Sequence, residues 1–192
     1  MSLLFFKRVL ANPLQVGYLV PSSPFLTRQT ARRLDFSKPR VIVELGPGEG
    51  CHTRQIVRRM TDNCRLVAFE LDPEFVTHLK KQFKDDPRVT ILHRNALELP
   101  QTLEEMGVTN CDYIVSGLPF LVIEEQARNK LLGNISEAIG TDGRFITYQV
   151  TTQLVEHDHL FELEDREYCP LNLPPINVLE FKKATKKAAK AA

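Results

Sequence analysis

Cysteine is sparse in this chain. Cys51, Cys64, Cys111 and Cys169 are scattered, with no CxxC pair. That argues against a cysteine zinc site or a disulfide framework and points to a reducing compartment. Long apolar runs are missing: none approaches the ~20 residues a membrane-spanning helix requires. An export signal is missing as well, because the charges of MSLLFFKRVLANP follow its short apolar stretch. A cytoplasmic protein is expected. Acidic residues are nearly absent from the two ends. Residues 1–40 hold seven Lys/Arg against one acid, and residues 182–192 hold five lysines and no acid. The stretch between them carries 13 basic and 23 acidic residues, so a net charge of +1 hides basic ends on an acidic body. Such ends suit an anionic partner, either a membrane surface or nucleic acid. Internal repeats are lacking. His157-Asp158-His159 has no evident third ligand, so no metal is expected.

What is present fits one globular domain: 192 residues, 43% hydrophobic and 26% charged. From residue 41 onward, short β-rich runs alternate with helical stretches, the pattern of a parallel sheet covered by helices. Strands are expected at 41–45, 65–71, 88–93, 112–117 and 143–150, with two more joined by a Pro-rich turn within 160–181. Helices are expected at 53–60, 73–83 and 124–139; the second starts with Pro73 and aligns Phe75, Val76, Leu79 and Phe83. Two helical segments precede the sheet. In residues 2–11, Leu3, Phe5, Phe6, Val9 and Leu10 oppose Lys7 and Arg8. In residues 22–36, Ser23 is a candidate N-cap with Pro24 behind it. Residues 1–40 are thus expected to form a helical extension serving as lid or membrane contact, 41–181 the catalytic domain, and 182–192 a disordered Lys/Ala tail.

VIVELGPGEG carries the clearest chemistry. A strand opening into Gly46-x-Gly48-x-Gly50 lets the backbone approach a ligand that a Cβ would push away. Glu70 follows at the end of the next strand, placed to accept ribose hydroxyls. The spacing is GxGxG, not GxGxxG, and Glu44 precedes the first glycine. An acid there would repel a pyrophosphate but suits a cationic ligand. S-adenosylmethionine, with its sulfonium and α-amino groups, meets that description. The chain therefore resembles the class I S-adenosylmethionine-dependent methyltransferases. The resemblance implies an α/β Rossmann-like fold with a seven-stranded, mostly parallel sheet, its last strand antiparallel, helices on both faces and a helical extension before it. It implies Glu44, Gly46, Gly48 and Gly50 at the methionine end, Glu70 on the ribose and Leu71 against the adenine. Asn95 and Ala96, in HRNALEL, stand where an Asp usually reads adenine; Asn95 still offers a carbonyl acceptor.

A second motif sits at Ser116-Gly117-Leu118-Pro119-Phe120. It is similar to the one used by enzymes that methylate nucleobase amines, except that their Asn or Asp is replaced by Gly117. Those enzymes are understood to accept the amine hydrogens on that side chain and to stack the base on the aromatic residue. An alkyl amine sets a different problem. It is protonated until about 3 units above neutral pH, so freeing its lone pair costs ~4–5 kcal/mol. It needs a proton acceptor and a desolvated pocket more than a stacking clamp. Tyr18, Tyr148 and a water held by Ser116 are the candidate acceptors.

VGYLVPSSPFLTRQTA, VIVELGPGEG, YIVSGLPF and NLPPINVLEF together resemble the short bacterial phospholipid N-methyltransferases, which methylate the ethanolamine headgroup of phosphatidylethanolamine. The ribosomal RNA adenine dimethylases share the layout but carry Asn at the Gly117 position and a further C-terminal RNA-binding domain. The resemblance implies a peripheral enzyme on the inner face of a membrane, with residues 2–11 in the headgroup region. Arg28, Arg32 or Arg33 would hold a substrate phosphate. Two other readings are an RNA adenine methyltransferase and a non-catalytic S-adenosylmethionine-binding protein.

Overall fold

The computed structural model describes residues 22–38, 40–151 and 159–184. The helix expected at 2–11, Tyr18, His157, Asp158 and the tail beyond 184 lie outside the described residues. Helix α1 (Pro24–Ala31) begins as expected, with the Ser23 Oγ accepting from the Leu26 amide at 3.2 Å and Pro24 at the first position. The sheet then opens with β1 (Val41–Leu45), followed by α2 (Cys51–Val57), β2 (Arg65–Glu70) and α3 (Pro73–Gln82). Asp72 caps α3, its carboxylate accepting from the Glu74 and Phe75 amides. After β3 (Val89–His93) come a short 3-10 turn (Ala96–Glu98), α4 (Leu99–Glu105), β4 (Cys111–Ser116), α5 (Glu125–Ala138), β5 (Ile139–Gln149), β6 (Phe161–Cys169) and β7 (Ile176–Lys183).

The strands form one seven-stranded sheet in the order β3-β2-β1-β4-β5-β7-β6. The first five are parallel, and β7 runs antiparallel between β5 and β6. The expected fold class is the observed one. Consecutive strands β1, β2 and β3 wind one way and β4 lies on the other side of β1, so the chain reverses at the carboxyl end of β1. In open α/β sheets that crevice is where ligands bind.

Three boundaries differ from expectation. Helix α4 was not anticipated, because its short amphipathic run lies between polar turns. Strand β5 starts at Ile139 because α5 runs straight into it, and its ladder with β4 shifts register between Cys111 and Tyr113. Strand β7 continues through Lys183, so Lys182 and Lys183 belong to the sheet and not to a tail. Lys182 lies 3.2 Å from Glu162 and 3.4 Å from Glu164, which tie it to the neighbouring strand.

Strand alternation sends Val43, Leu45, Ile114 and Phe145 to one face of the sheet and Ile42, Leu66, Val115 and Ile146 to the other. Leu26, Leu34 and Phe36 pack into the second group, so residues 22–36 share the core of the sheet domain. Burying a leucine such as Leu26 contributes on the order of 2 kcal/mol.

Candidate active site

The three glycines after β1 all take left-handed φ, 72° at Gly46, 56° at Gly48 and 76° at Gly50, which explains why glycine is needed there. The loop is fixed to its neighbours by the Gly46 amide donating to the Phe69 carbonyl at 2.9 Å and the Gly117 amide donating to the Leu45 carbonyl at 3.0 Å. Both motifs therefore meet at the carboxyl end of β1. A Cβ on Gly46 would come 2.9 Å from Leu118 Cδ2, so the two loops are packed too closely for a side chain.

Glu70 closes the other side of the loop. It is buried; one carboxylate oxygen accepts from the Leu71 and Asp72 amides and the other from the Gly48 amide at 2.9 Å. Burial raises its pKa, against those three amides, which hold it down. The second oxygen has a lone pair left for a ribose hydroxyl.

Glu44 is the sharpest indicator of a ligand. It is 1% exposed, and neither carboxylate oxygen has a hydrogen-bond partner among the described residues. Thr53 stands beside it without bonding geometry. Burial and the nearby Glu70 raise its pKa to about 7. A buried carboxylate without a partner is costly and is relieved by a cation. The sulfonium and ammonium of S-adenosylmethionine fit that need, and the glycine cradle and Glu70 fit its ribose side. Leu71 follows Glu70 directly, and Ala96 lies partly buried against the same core.

The adenine-reading expectation for Asn95 meets a complication. Its side-chain carbonyl accepts from the Leu97 amide at 3.0 Å and caps the 3-10 turn, while Glu98 returns to the Asn95 amide. The cap takes one lone pair of the carbonyl expected to receive the adenine amine and leaves the other.

The 116–120 segment is tightly held. The Ser116 Oγ accepts from the Leu118 amide, the Ser116 carbonyl accepts from the Thr147 hydroxyl at 3.1 Å, and the Leu118 carbonyl accepts from Gln149 Nε2 at 2.9 Å. Ser116 is fully buried, its Oγ and its carbonyl each accepting one of these bonds. Pro119 begins a short 3-10 turn (Phe120–Val122). Phe120, expected at the substrate face, is instead fully buried in the core and meets Phe145 edge-on at 6.0 Å. Its ring has no free face on which a base could stack. The physical reason is the turn after Pro119, which directs Phe120 under the sheet.

The three arginines are not gathered at the loop. Arg33 is 4% exposed and bonds to Asp165 and Glu167, with Nε 3.5 Å from Glu180. Arg32 pairs with Glu167 at 2.5 Å. Both also line a groove with Arg59 and Thr61, beyond the end of α2 that points away from the glycine loop. Arg28 and Arg32 are both exposed, and Arg28 lies one turn from the start of α1.

Sequence reasoning overlooked His52, Thr53 and Gln149. His52 is buried, burial lowers its pKa to about 3, and neither ring nitrogen has a hydrogen-bond partner among the described residues. Its ring stacks on Tyr148, with centroids 4.2 Å apart and planes within 6°. Only its position right after the glycine loop hinted at a role. Among the described residues no His/Cys/Asp/Glu group has metal-binding geometry, and no helix is long and apolar enough to cross a membrane.

The profile described as Ribosomal RNA adenine dimethylase matches residues 18–166. The chain belongs to that family. It is an S-adenosylmethionine-dependent N-methyltransferase with the class I fold. It is 29% identical over 174 residues to Ornithine lipid N-methyltransferase of Singulisphaera acidiphila, covering 90% of this chain and 91% of that one. A shorter likeness, 31% over 78 residues, links it to Ribosomal RNA small subunit methyltransferase H of Acinetobacter baumannii, covering 41% of this chain and 25% of that protein. Among solved structures, a SAM dependent methyltransferase from Aquifex aeolicus superimposes with a TM-score of 0.67 at 10% identity, covering 93% of this chain and 98% of that one.

Proposed function

We propose that this methyltransferase acts on the primary amine of a membrane lipid, with ornithine-type lipids and phosphatidylethanolamine as the candidate acceptors. The observation that carries the proposal is the state of residues 117–120: position 117 has no side chain and the Phe120 ring is buried. An exocyclic base amine would meet neither an amide nor a stacking face there. An alkyl amine requires neither, only a desolvated position in line with the methyl group. Its lone pair forms the new N–C bond as the C–S bond breaks, the bonding pair stays on sulfur, and the nitrogen's surplus proton passes to water. The likeness to the Singulisphaera enzyme over nine-tenths of both chains supports the same substrate class and brings ornithine lipid forward beside phosphatidylethanolamine.

A membrane-facing orientation fits the edge of the site. Asn177 of β7 pairs with Gln149 at the carboxyl end of β5, so the β6–β7 turn lies on the same rim as the glycine loop. In that turn Leu171 and Leu173 are 60% and 73% exposed. Between them, buried Asn172 accepts from the Ser23 amide and donates to the Pro174 carbonyl, which pins the turn against the start of α1, where Phe25 is half exposed. These side chains would enter the interface while Arg28 meets a headgroup phosphate.

RNA adenine methylation is the second reading, favoured by the family profile itself. The deciding experiment supplies labelled S-adenosylmethionine with phosphatidylethanolamine vesicles, ornithine-lipid vesicles and total RNA in parallel. Label on either lipid supports the proposal and names the headgroup. Label on RNA alone overturns it.

A further inference from the structure

Gly117 leaves a gap on β4 that the structure fills from β5. A Cβ at 117 would overlap the Tyr148 hydroxyl, stand 3.1 Å from its Cζ and 3.0 Å from the Gly46 carbonyl oxygen. The phenol oxygen therefore occupies the space in which an Asn or Asp side chain would begin. Its position is fixed from below, because the Tyr148 ring lies flat on His52 and both are buried. In the same segment the Ser116 and Leu118 carbonyls and the Ser116 Oγ each already accept a hydrogen bond, and Phe120 faces the core.

We propose that the Tyr148 hydroxyl contacts the acceptor nitrogen in place of the absent side chain at 117, so that Gly117 and Tyr148 form a matched pair selecting an alkyl amine. This rests on the lipid-amine function and deepens it. A hydroxyl accepts one N–H of the neutral amine and leaves the lone pair directed at the methyl carbon. That is one point of contact with no ring to stack, enough for a tetrahedral nitrogen and too little to fix a planar base. Burial keeps the phenol protonated, so Tyr148 orients the amine and does not carry its proton away. His52 is neutral near pH 7, its pKa held at about 3, and therefore sets no positive charge beneath an incoming ammonium group. The methyl moves from sulfur to nitrogen with the C–S electron pair retained on sulfur; Tyr148 is unchanged over the cycle.

Tyr148→Phe removes the hydroxyl and keeps the ring on His52. Turnover on the amino-lipid vesicles labelled by the parent protein should fall about 30-fold, as expected for loss of a hydrogen bond made at the reacting atom. The cofactor Kd should stay within about twofold, since the hydroxyl is not assigned to the cofactor. Gly117→Ala should lower both thermal stability and turnover through overlap with the hydroxyl. Adding Tyr148→Phe to it should restore part of the stability, since the contacts with Cζ and the Gly46 carbonyl remain, but not turnover. Parent-like turnover in Tyr148→Phe overturns the assignment, as does a double variant no more stable than Gly117→Ala. A parent protein that labels RNA and no lipid is a different failure: it removes the lipid function, and this assignment falls with it.

Discussion

Glu44 and His52 are neighbours in function because they respond to pH in opposite senses. The folded-state pKa of Glu44 is raised from 4.5 to about 7, so the folded state binds more protons than the unfolded chain between those values and stability falls as pH rises. That of His52 is lowered from 6.5 to about 3, so the unfolded chain binds more protons there and stability rises with pH. Between pH 4.5 and 6.5 the two slopes oppose each other. Glu44→Gln should uncover the histidine slope. Relative to the parent, the variant should gain about 3 kcal/mol between pH 4.5 and 7, read from urea unfolding at several pH values. A constant difference would mean that Glu44 is not titrating in this window. The same carboxylate links pH to cofactor binding. A cationic ligand favours the ionised form, so S-adenosylmethionine affinity should weaken below pH 7 by up to about tenfold per unit and lose that dependence in Glu44→Gln. Glu70→Ala should weaken the same affinity about tenfold or more, measured by titration calorimetry; unchanged affinity would remove its ribose role.

At the scale of elements, the glycine loop and the α1–sheet contact are the parts most sensitive to substitution. Gly48 and Gly50 both hold left-handed φ, but a Cβ on Gly48 meets no atom within 4 Å, whereas one on Gly50 lies 2.7 Å from Leu79 Cδ2. Gly48→Ala should cost about 1 kcal/mol from backbone strain alone. Gly50→Ala should cost more, because the Leu79 side chain must yield as well. Equal denaturation midpoints for the two variants would contradict the close approach of Leu79 to Gly50. Arg33 joins α1 to β6 and β7 through three carboxylates. Of these Glu180 is the most enclosed, and burial raises its pKa despite Arg33 and Arg144 nearby. Arg33→Ala should destabilise the fold by about 2–3 kcal/mol, since removing one partner leaves the others uncompensated. Loss of lipid transfer with full stability would instead return Arg33 to the phosphate role expected from sequence.

For the whole molecule, the catalytic crevice and the exposed leucines share one rim of the sheet. Leu171→Asp together with Leu173→Asp should reduce transfer to lipid vesicles by about tenfold while leaving cofactor affinity unchanged. A proportional loss on a water-soluble amine would show that the turn supports the fold and not the interface.

Much of this was legible from the order of residues. Strand and helix periodicity, the Ser23 and Pro24 helix start, the GxGxG loop and Glu70 depend on local patterns, and local geometry enforced them. The glycines sit where φ is positive, which only a residue without a Cβ tolerates readily. The missing side chain at 117 was also visible in the sequence, but what fills its place was not. Tyr148 comes from a strand 31 residues later, and only the pairing of β4 with β5 sets its hydroxyl against Gly117. Phe120 and Arg33 were misjudged for the same reason. Their residue types suit a substrate, but packing turned one into the core and ion pairs drew the other to the sheet edge. Sequence alone determined the fold class and the cofactor, because both rest on short, contiguous patterns. Tertiary structure decided which polar groups are free to meet a substrate, because that depends on what each buried atom has already bonded.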